Sequence, residues 1–577
     1  MPDTTYDAVI VGGGTKGLFL AMYLARYGGM SVGVFERRHE SGGGLAGEES
    51  AAPGFTGNIH ATMLYLHQHW MQLWRDFPEF EEYGGQVDQH VCINGAIFAD
   101  TEKSLVTYST KHDPTQERSA QNIAKISERD AELWLKVWEV REPLIKAICM
   151  SYSTIPTVGG AMARYQRPLE ALAEKGMKLD PVFGSYSCLR AAKELWESKE
   201  MQKLMVRLAM SRGADILAAG GGMASGLLEP ATQPLMCFQV GGTHQAAHAA
   251  HRVLIRDGVK AWTNCEVDKV IIENGTAKGI RLKDGTEIGA RRVVISTLSP
   301  QQLCFDLIGK EHLNSQIIRR IELLESDSLC IAWYQWALHE APKYKLAQVN
   351  PDLNDANWLD LHLDNDPDSL AREAYWRKLG KMPPFEDLNP VVWCHSVADP
   401  RYAPVGKHLA SHEQFMPPAT AFSEREWLAL KKQHAEDIMK LWQMFAPNMT
   451  WDNVIGVDSN TPYDVLRLKN MAPNGNWNVL DNVPHQSGAY RPIPELAHYR
   501  TPIKNLYGTG SGWSGGGGTV GAGYMCYKAI AEDMDLGKPW LEPGKEEPDS
   551  LYEQVIRVEK KLQQSVVEKK LQQSVKV

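Results

Sequence analysis

Tyr6-Asp-Ala-Val-Ile-Val-Gly-Gly-Gly-Thr-Lys-Gly17 is the stretch whose reading decides the fold. It begins as a short apolar run rich in β-branched residues, the pattern of a buried parallel strand. Leu18-Phe-Leu-Ala-Met-Tyr-Leu-Ala25 follows as a strongly helical segment. Ser31-Val-Gly-Val-Phe-Glu36 then reads as a second strand that ends in an acid. Strand, glycine turn, helix and strand form a βαβ unit, and the GxGxxG pattern lies where a dinucleotide needs it. Gly12 makes the tight turn, Gly14 lets backbone approach a pyrophosphate, and Gly17 lets the helix pack close on the strand. Thr15 and Lys16 open the helix, whose free N–H groups hold phosphate. Lys16 itself reads as phosphate-facing or solvent-exposed. Glu36 sits about twenty residues past the glycines, where a carboxylate accepts hydrogen bonds from an adenosine ribose. It would repel a 2′-phosphate, an effect that Arg37 and Arg38 soften.

Outward from this unit, Gly42-Gly-Gly44 precedes Leu45. An NAD site has no use for this second cluster, whereas FAD enzymes of this fold place one near the pyrophosphate and ribityl chain. A third cluster lies near the other end: Leu506-Tyr-Gly-Thr-Gly510-Ser-Gly-Trp-Ser-Gly-Gly-Gly-Gly518-Thr-Val520-Gly-Ala-Gly523. So much glycine costs conformational entropy, so bare backbone must be needed there. A helix starting near Thr519 and aimed at the flavin N1–C2=O edge would stabilise the anion formed on reduction.

At 577 residues the chain is too long for one ordinary core and suits two or three interleaved domains. A net charge of −9 removes any reason to expect nucleic acid, whose binders carry basic faces. Nine scattered cysteines without a CxxC suit reduced cytoplasmic thiols, and argue against a disulfide framework or a zinc site. The first strand begins almost at once, which leaves no room for a cleaved signal peptide, and no apolar run is long enough to span a bilayer.

The expected division is a first dinucleotide-binding part at 1–62, a mostly helical cap and substrate region at 63–235 and a second dinucleotide-binding part at 236–300. A substrate domain at 301–495, a third part at 496–543 and a charged tail at 544–577 complete it. In the cap, Asp130-Ala-Glu-Leu-Trp-Leu-Lys-Val-Trp138 repeats apolar residues at helical spacing. Ala214–Met236 reads as a buried helix pair, or as a tunnel wall or membrane-touching lip. Asn350–Asp368 reads as an acidic polar loop. Val558–Val566 is repeated verbatim at Val567–Val575, read as a solvated helix or an artefact without catalytic content. The 17 tryptophans, several in the second half, suit a cavity for a large apolar ligand.

The chain resembles the phytoene desaturase family of FAD-dependent oxidoreductases, related to the amine oxidases and Rab GDP-dissociation inhibitors. The fingerprint with Glu36, Gly42-Gly43, Gly54-Phe-Thr, Val240-Gly-Gly242, Asp284-Gly285, Ser296 with Pro300, Arg491-Pro492 and Thr501–Tyr507 before the last glycine cluster carry the likeness. It implies an α/β protein: a discontinuous Rossmann-like (GR2-type) FAD-binding domain beside a mixed α+β substrate domain with a helical cap. The motifs and the resemblance together place FAD against Gly12, Gly14, Thr15, Lys16, Gly17, Glu36, Arg37, Gly43, Gly44, Leu45, His60, Ala61, Thr62, Met63, Val267, Ser296, Gly510, Gly518, Thr519 and Val520.

Two departures stand out. Gly44 replaces the family's arginine, and Gly57-Asn-Ile-His-Ala61 replaces Phe-Asp-Ala-Gly-Pro. His60 therefore becomes a candidate catalytic or substrate-orienting group, and the substrate is expected to be smaller or more polar than phytoene. The implied activity removes a hydride and a proton from a terpenoid, carotenoid-like or alicyclic carbon skeleton, the hydride passing to flavin N5. The rivals are a redox-neutral flavin-dependent isomerase or hydratase and a non-enzymatic lipid escort. Expected partners are an apolar small molecule, an electron acceptor (oxygen, a quinone or a redox protein) and a peripheral membrane surface.

Overall fold

The computed structural model describes residues 4–222, 229–516 and 519–574. Its first layer is a seven-stranded sheet assembled from distant parts of the chain. Thr5–Val11 lies at the centre, with Val32–Phe35 parallel on one side and Glu287–Ser296 parallel on the other. Lys260–Trp262 extends the first side. On the other, Glu287–Ser296 pairs antiparallel with Thr276–Leu282 near its start and parallel with Leu506–Gly508 at its end. Val267–Glu273 completes the edge.

The central strands are buried on both faces because helices cover them. Thr15–Arg26 buries ten consecutive residues, Thr15 to Leu24. His244–Arg256 and Gly521–Met534 pack beside it, in one core with the sheet. An amphipathic helix could not do this. Leu18-Phe-Leu-Ala-Met-Tyr-Leu is apolar all round because helices and sheet enclose it.

The second layer is a seven-stranded sheet in the order Val454–Asn460, Ile331–Leu338, His408–Phe415, Val391–Trp393, Leu359–His362, Cys92–Phe98 and Lys103–Tyr108. Alternation along its strands gives the two faces different tasks. Tyr334, Trp336 and His412 pack under the Glu424–Phe445 helix, where His412 Nε2 lies 3.1 Å from His434 Nε2. Trp333, Gln335, Ser411 and Glu413 belong to the opposite face, which turns toward the first sheet.

Three expectations need correcting. The 63–235 segment is not only helical, since Cys92–Phe98 and Lys103–Tyr108 complete the second sheet. Both sides of Cys92–Phe98 are buried, so its residues lack the alternation that marks a half-exposed strand. The polar stretch Asn350–Asp368 contains the fully buried strand Leu359–His362, whose Asp360 and His362 are held among other polar groups inside the domain. The tail is not merely solvated. Asp549–Ser574 is a helix that buries Leu551, Val555, Val558 and Leu562, and Arg557 and Lys561 pair with Glu81. Of Ala214–Met236, residues 223–228 lie outside the described residues. The flanking Glu229–Thr232 turn is buried, and Glu229 pairs with Arg212 at 2.8 Å.

Among the described residues, no helix is long and apolar enough to cross a membrane.

Candidate active site

A cavity of about 950 Å³ runs between the two sheets. That is near the upper end of the roughly 300–1,000 Å³ usual for small-molecule sites. One end is built by the glycine turns. The Thr15–Arg26 helix has Gly14 as its N-cap, no side-chain cap and no acid in its first turn, so its leading N–H groups face the cavity unclaimed. Gly43 folds over this turn so closely that a Cβ on it would lie 3.0 Å from Gly14 Cα. The Glu36 carboxylate is fixed at the end of its strand by the N–H groups of Gly13 at 2.8 Å and Arg38 at 2.9 Å. A carboxylate held this way has lone pairs left for ribose hydroxyls.

Gly12, Gly14, Thr15, Lys16, Glu36, Arg37, Gly43, Gly44, Leu45, His60, Ala61, Thr62, Met63, Val267 and Gly510 all line this cavity. Gly17 does not, because it sits beneath the turn against Gly12 O. Ser296 is also behind the wall. It is fully buried at its strand end, where its hydroxyl accepts from Leu298 N–H, and Thr297, Leu298 and Ser299 face the cavity instead. Thr519 and Val520 are buried below the last glycine loop. Thr519 donates to Gly515 O at 2.6 Å and accepts from Gly521 N–H, so it shapes the Gly510–Gly516 loop that reaches the cavity. Gly518 lies outside the described residues. The helix expected near Thr519 starts at Gly521.

Lys16 is buried, not solvent-exposed. Its Nζ lies 3.5 Å from Ser511 Oγ, and burial pushes it down to about 7. Lys469, a second buried amine on the cavity wall, is pushed down to about 8, by burial first and then by Arg38. An anion here would restore both charges.

His60 stacks on Trp333 at 6.3 Å and 9°, and its Nε2 has no hydrogen-bond partner among the described residues. Burial, helped by Lys469 and Lys16, holds its pKa down at about 3. It is therefore a neutral imidazole with a free edge, and a weak base near neutral pH.

Sequence reasoning missed the carboxylate at the other end. Glu413 lines the cavity from the His408–Phe415 strand, directly across from Trp333. Its neighbours there include Ile331, Trp333 and Trp477. Burial raises its pKa, opposed by Arg207, whose NH2 lies 3.4 Å from Oε1. No motif surrounds it, and the strand contacts that aim it into the cavity are made by residues about 80 positions away.

Asn58 joins the two halves. Its carbonyl accepts from Trp333 Nε1 and Gln335 Nε2, both at 2.8 Å, and its Oδ1 accepts from Thr243 N–H at 2.8 Å. Asn58→Ala keeps the main-chain acceptor and orphans buried Thr243, so it is expected to cost about 1–3 kcal/mol in urea unfolding. An unchanged midpoint would mean that the loop repacks.

A family model for the NAD(P)-binding Rossmann-like domain matches residues 10–77. A limonene dehydrogenase subunit of Castellaniella defragrans is 26% identical over 557 residues, covering 93% of this chain and 96% of that one. A neurosporene-forming phytoene desaturase of Rhodobacter capsulatus is 27% identical over 50% of this chain and 51% of its own. The chain is similar to the phytoene desaturase-like FAD-dependent oxidoreductases. Cyclohexylamine oxidase from Brevibacterium oxydans shares the fold, with a TM-score of 0.51 at 15% identity over 92% of this chain and all of that one. The glycine-lined part of the cavity has a chemical reason in such a cofactor, since the helix start and the buried amines are donors for a pyrophosphate and Glu36 is an acceptor for ribose hydroxyls.

Proposed function

We propose that this flavoprotein is a dehydrogenase that takes a hydride and a proton from adjacent carbons of an apolar, alicyclic or terpenoid-like substrate. One observation carries the reading: the dinucleotide cradle and the carboxylate of Glu413, with Trp333, Ile331 and Trp477, line the same cavity. An apolar wall recognises a hydrocarbon skeleton, and one buried carboxylate suits removal of a carbon-bound proton. The relative named as a limonene dehydrogenase, alike over nearly its whole length, supports a substrate of that class.

FAD, when bound, supplies the hydride acceptor. Gly14, Thr15 and Lys16 would hold its pyrophosphate, Glu36 its adenosine ribose, and Gly43–Leu45 with Gly510–Gly516 would flank the rest. His60 would orient a polar edge of flavin or substrate through its free Nε2, and Glu413 would take the proton. The electrons then leave to an external acceptor, whether oxygen, a quinone or a redox protein.

The test is an anaerobic visible spectrum of the purified protein, before and after adding monocyclic terpenes, carotenoids and alicyclic ketones. A flavin band that bleaches with one class supports the reading and names the class. With that ligand, Glu413→Gln is expected to keep its flavin and bleach at least ~100-fold more slowly, the lower range for losing a general base. A product of unchanged mass would favour the isomerase reading. A protein with no flavin band would sink both.

A further inference from the structure

A line of hydrogen bonds leaves the cavity wall and reaches the protein surface through groups that the dehydrogenation itself does not use. Thr62 lines the cavity, and its Oγ1 lies 2.6 Å from His395 Nε2. His395 Nδ1 lies 3.2 Å from His90 Nε2, and His90 Nδ1 lies 2.8 Å from Asp355 Oδ1. Thr62, His395 and His90 are buried, at 1%, 3% and 1% exposure, whereas the Asp355 side chain is 32% exposed. Four separate segments meet here. Thr62 follows the Gly57–Asn58 bridge, His90 precedes the Cys92–Phe98 strand, His395 follows Val391–Trp393, and Asp355 precedes Leu359–His362.

The line has a direction. The Asp355 carboxylate only accepts, so His90 donates from Nδ1, and in that tautomer of the imidazole it accepts at Nε2. His395 must then donate from Nδ1 and accept at Nε2, so the Thr62 hydroxyl donates to it. Asn58 Nδ2 donates to the same hydroxyl oxygen at 3.1 Å, which leaves that hydroxyl's proton free to point at His395. Phe238 stacks on His395 at 5.4 Å and meets His90 edge-on at 5.0 Å, and Tyr402 and Trp393 close the other sides of His395. Burial holds His395 far below its ordinary pKa, which keeps it neutral, as a relay member must be.

We infer that Thr62, His395, His90 and Asp355 form a proton relay that discharges the cavity to solvent. A proton arriving at Thr62 Oγ1 displaces the hydroxyl proton to His395 Nε2. The His395 Nδ1 proton passes to His90 Nε2, the His90 Nδ1 proton passes to Asp355, and the carboxylic acid ionises into water. One proton enters and one leaves, no residue changes charge except Asp355 in transit, and both imidazoles are left as the other tautomer until they reset. The relay rests on the reading that the cavity holds FAD, because the redox change supplies the proton. It does not need the substrate to be known.

The test therefore omits substrate. Protein whose flavin has been photoreduced is mixed anaerobically with ferricenium, a one-electron oxidant that carries no proton, in weak buffer containing a pH indicator. Each reduced flavin gives two electrons to two ferricenium ions and releases one proton. In the wild type, indicator and flavin colour are expected to change together. His90→Gln keeps an amide that can accept from His395 and donate to Asp355 but cannot relay, so its proton release is expected to lag at least ten-fold at full flavin content. Asp355→Asn, whose amide oxygen can still accept from His90 or from Val91 N–H, is expected to lag as well. ¹⁵N-histidine spectra of the wild type should show His90 and His395 as Nδ1–H tautomers with unprotonated Nε2 atoms that accept hydrogen bonds. A His90→Gln protein with full flavin and wild-type proton kinetics would overturn the relay alone. A wild-type protein with no flavin band would overturn it together with the cofactor reading.

Discussion

Gly17→Ala is expected to yield a folded protein that has lost its flavin. A Cβ at this position would lie 2.3 Å from Gly12 O, with Thr297 Cγ2 and Ile10 Cγ2 at 3.3 and 3.4 Å. The closest atom is backbone inside the turn, so no rotamer change relieves the clash. The Thr15–Arg26 helix must move outward, yet its residues Thr15–Leu24 are buried against the sheet and neighbouring helices, so the shift is resisted everywhere except at the turn. The turn is where helix N–H groups meet the cavity. Overpacking of this kind costs about 1–3 kcal/mol in stability. The larger effect falls on the cofactor, because charge-assisted bonds to phosphate depend on donor placement. A loss of at least ~100-fold in FAD affinity is expected, equivalent to about 2.7 kcal/mol. Flavin-to-protein absorbance after gel filtration measures it. Gly184→Ala, where no atom lies within 4 Å, serves as the control. A Gly17→Ala protein with full flavin content would show that the helix start is not the phosphate cradle.

Arg207→Met is expected to produce the largest loss of stability. Arg207 is fully buried on the Lys199–Ser211 helix, 3.4 Å from both Asp360 and Glu413 and stacked over Phe415 at 4.9 Å. Glu373 and Arg377, 3.7 Å apart, extend the same buried cluster. Methionine keeps the packing volume and removes the only cation within ion-pair distance of Asp360 among the described residues. Breaking a buried pair from one side costs about 3–5 kcal/mol, since the remaining carboxylates are left without a partner in low dielectric. Asp360→Asn in the same background should restore part of that loss. If it restores none, the arginine acts through packing.

The cluster also sets a pH dependence. Burial pushes Asp360 up to about 7 from an ordinary value near 3.8. Between about pH 4 and 7 the folded state keeps a proton that the unfolded chain has lost, so stability is fully present below pH 4 and declines as pH rises through 7. The loss attached to Asp360 is about 4 kcal/mol. Glu373, also pushed up to about 7 by burial, acts in the same direction. Urea midpoints from pH 5 to 8 should fall in the wild type and fall less steeply in Asp360→Asn, where Glu373 still titrates. A midpoint that rises over that range would contradict this assignment.

The local signals in this chain carried far. The βαβ unit was legible because each of its parts is short-range: the β-branched run, the three glycines, the apolar helix and Glu36 lie within about thirty residues. The last glycine loop was legible for the same reason. These local signals determined the sheet-and-helix class, the dinucleotide cradle and the residues Gly12 to Leu45 that build it.

Tertiary structure alone decided the rest. Cys92–Phe98 joins the second sheet through partners at 359–362, and a strand buried on both faces carries no periodic mark to announce that. Ser296, Thr519 and Val520 belong to the right loops but point the wrong way, because orientation at a strand end or a helix start depends on which hydrogen bond the side chain completes. Glu413 and the Thr62–His395–His90–Asp355 line have no sequence signature at all. Their members are separated by up to 333 residues, as Thr62 and His395 are, and meet only because two sheets close on one cavity. Spacing along the chain encodes neighbours on one element, whereas chemistry shared between elements exists only after the entropy of closing those long loops has been overcome.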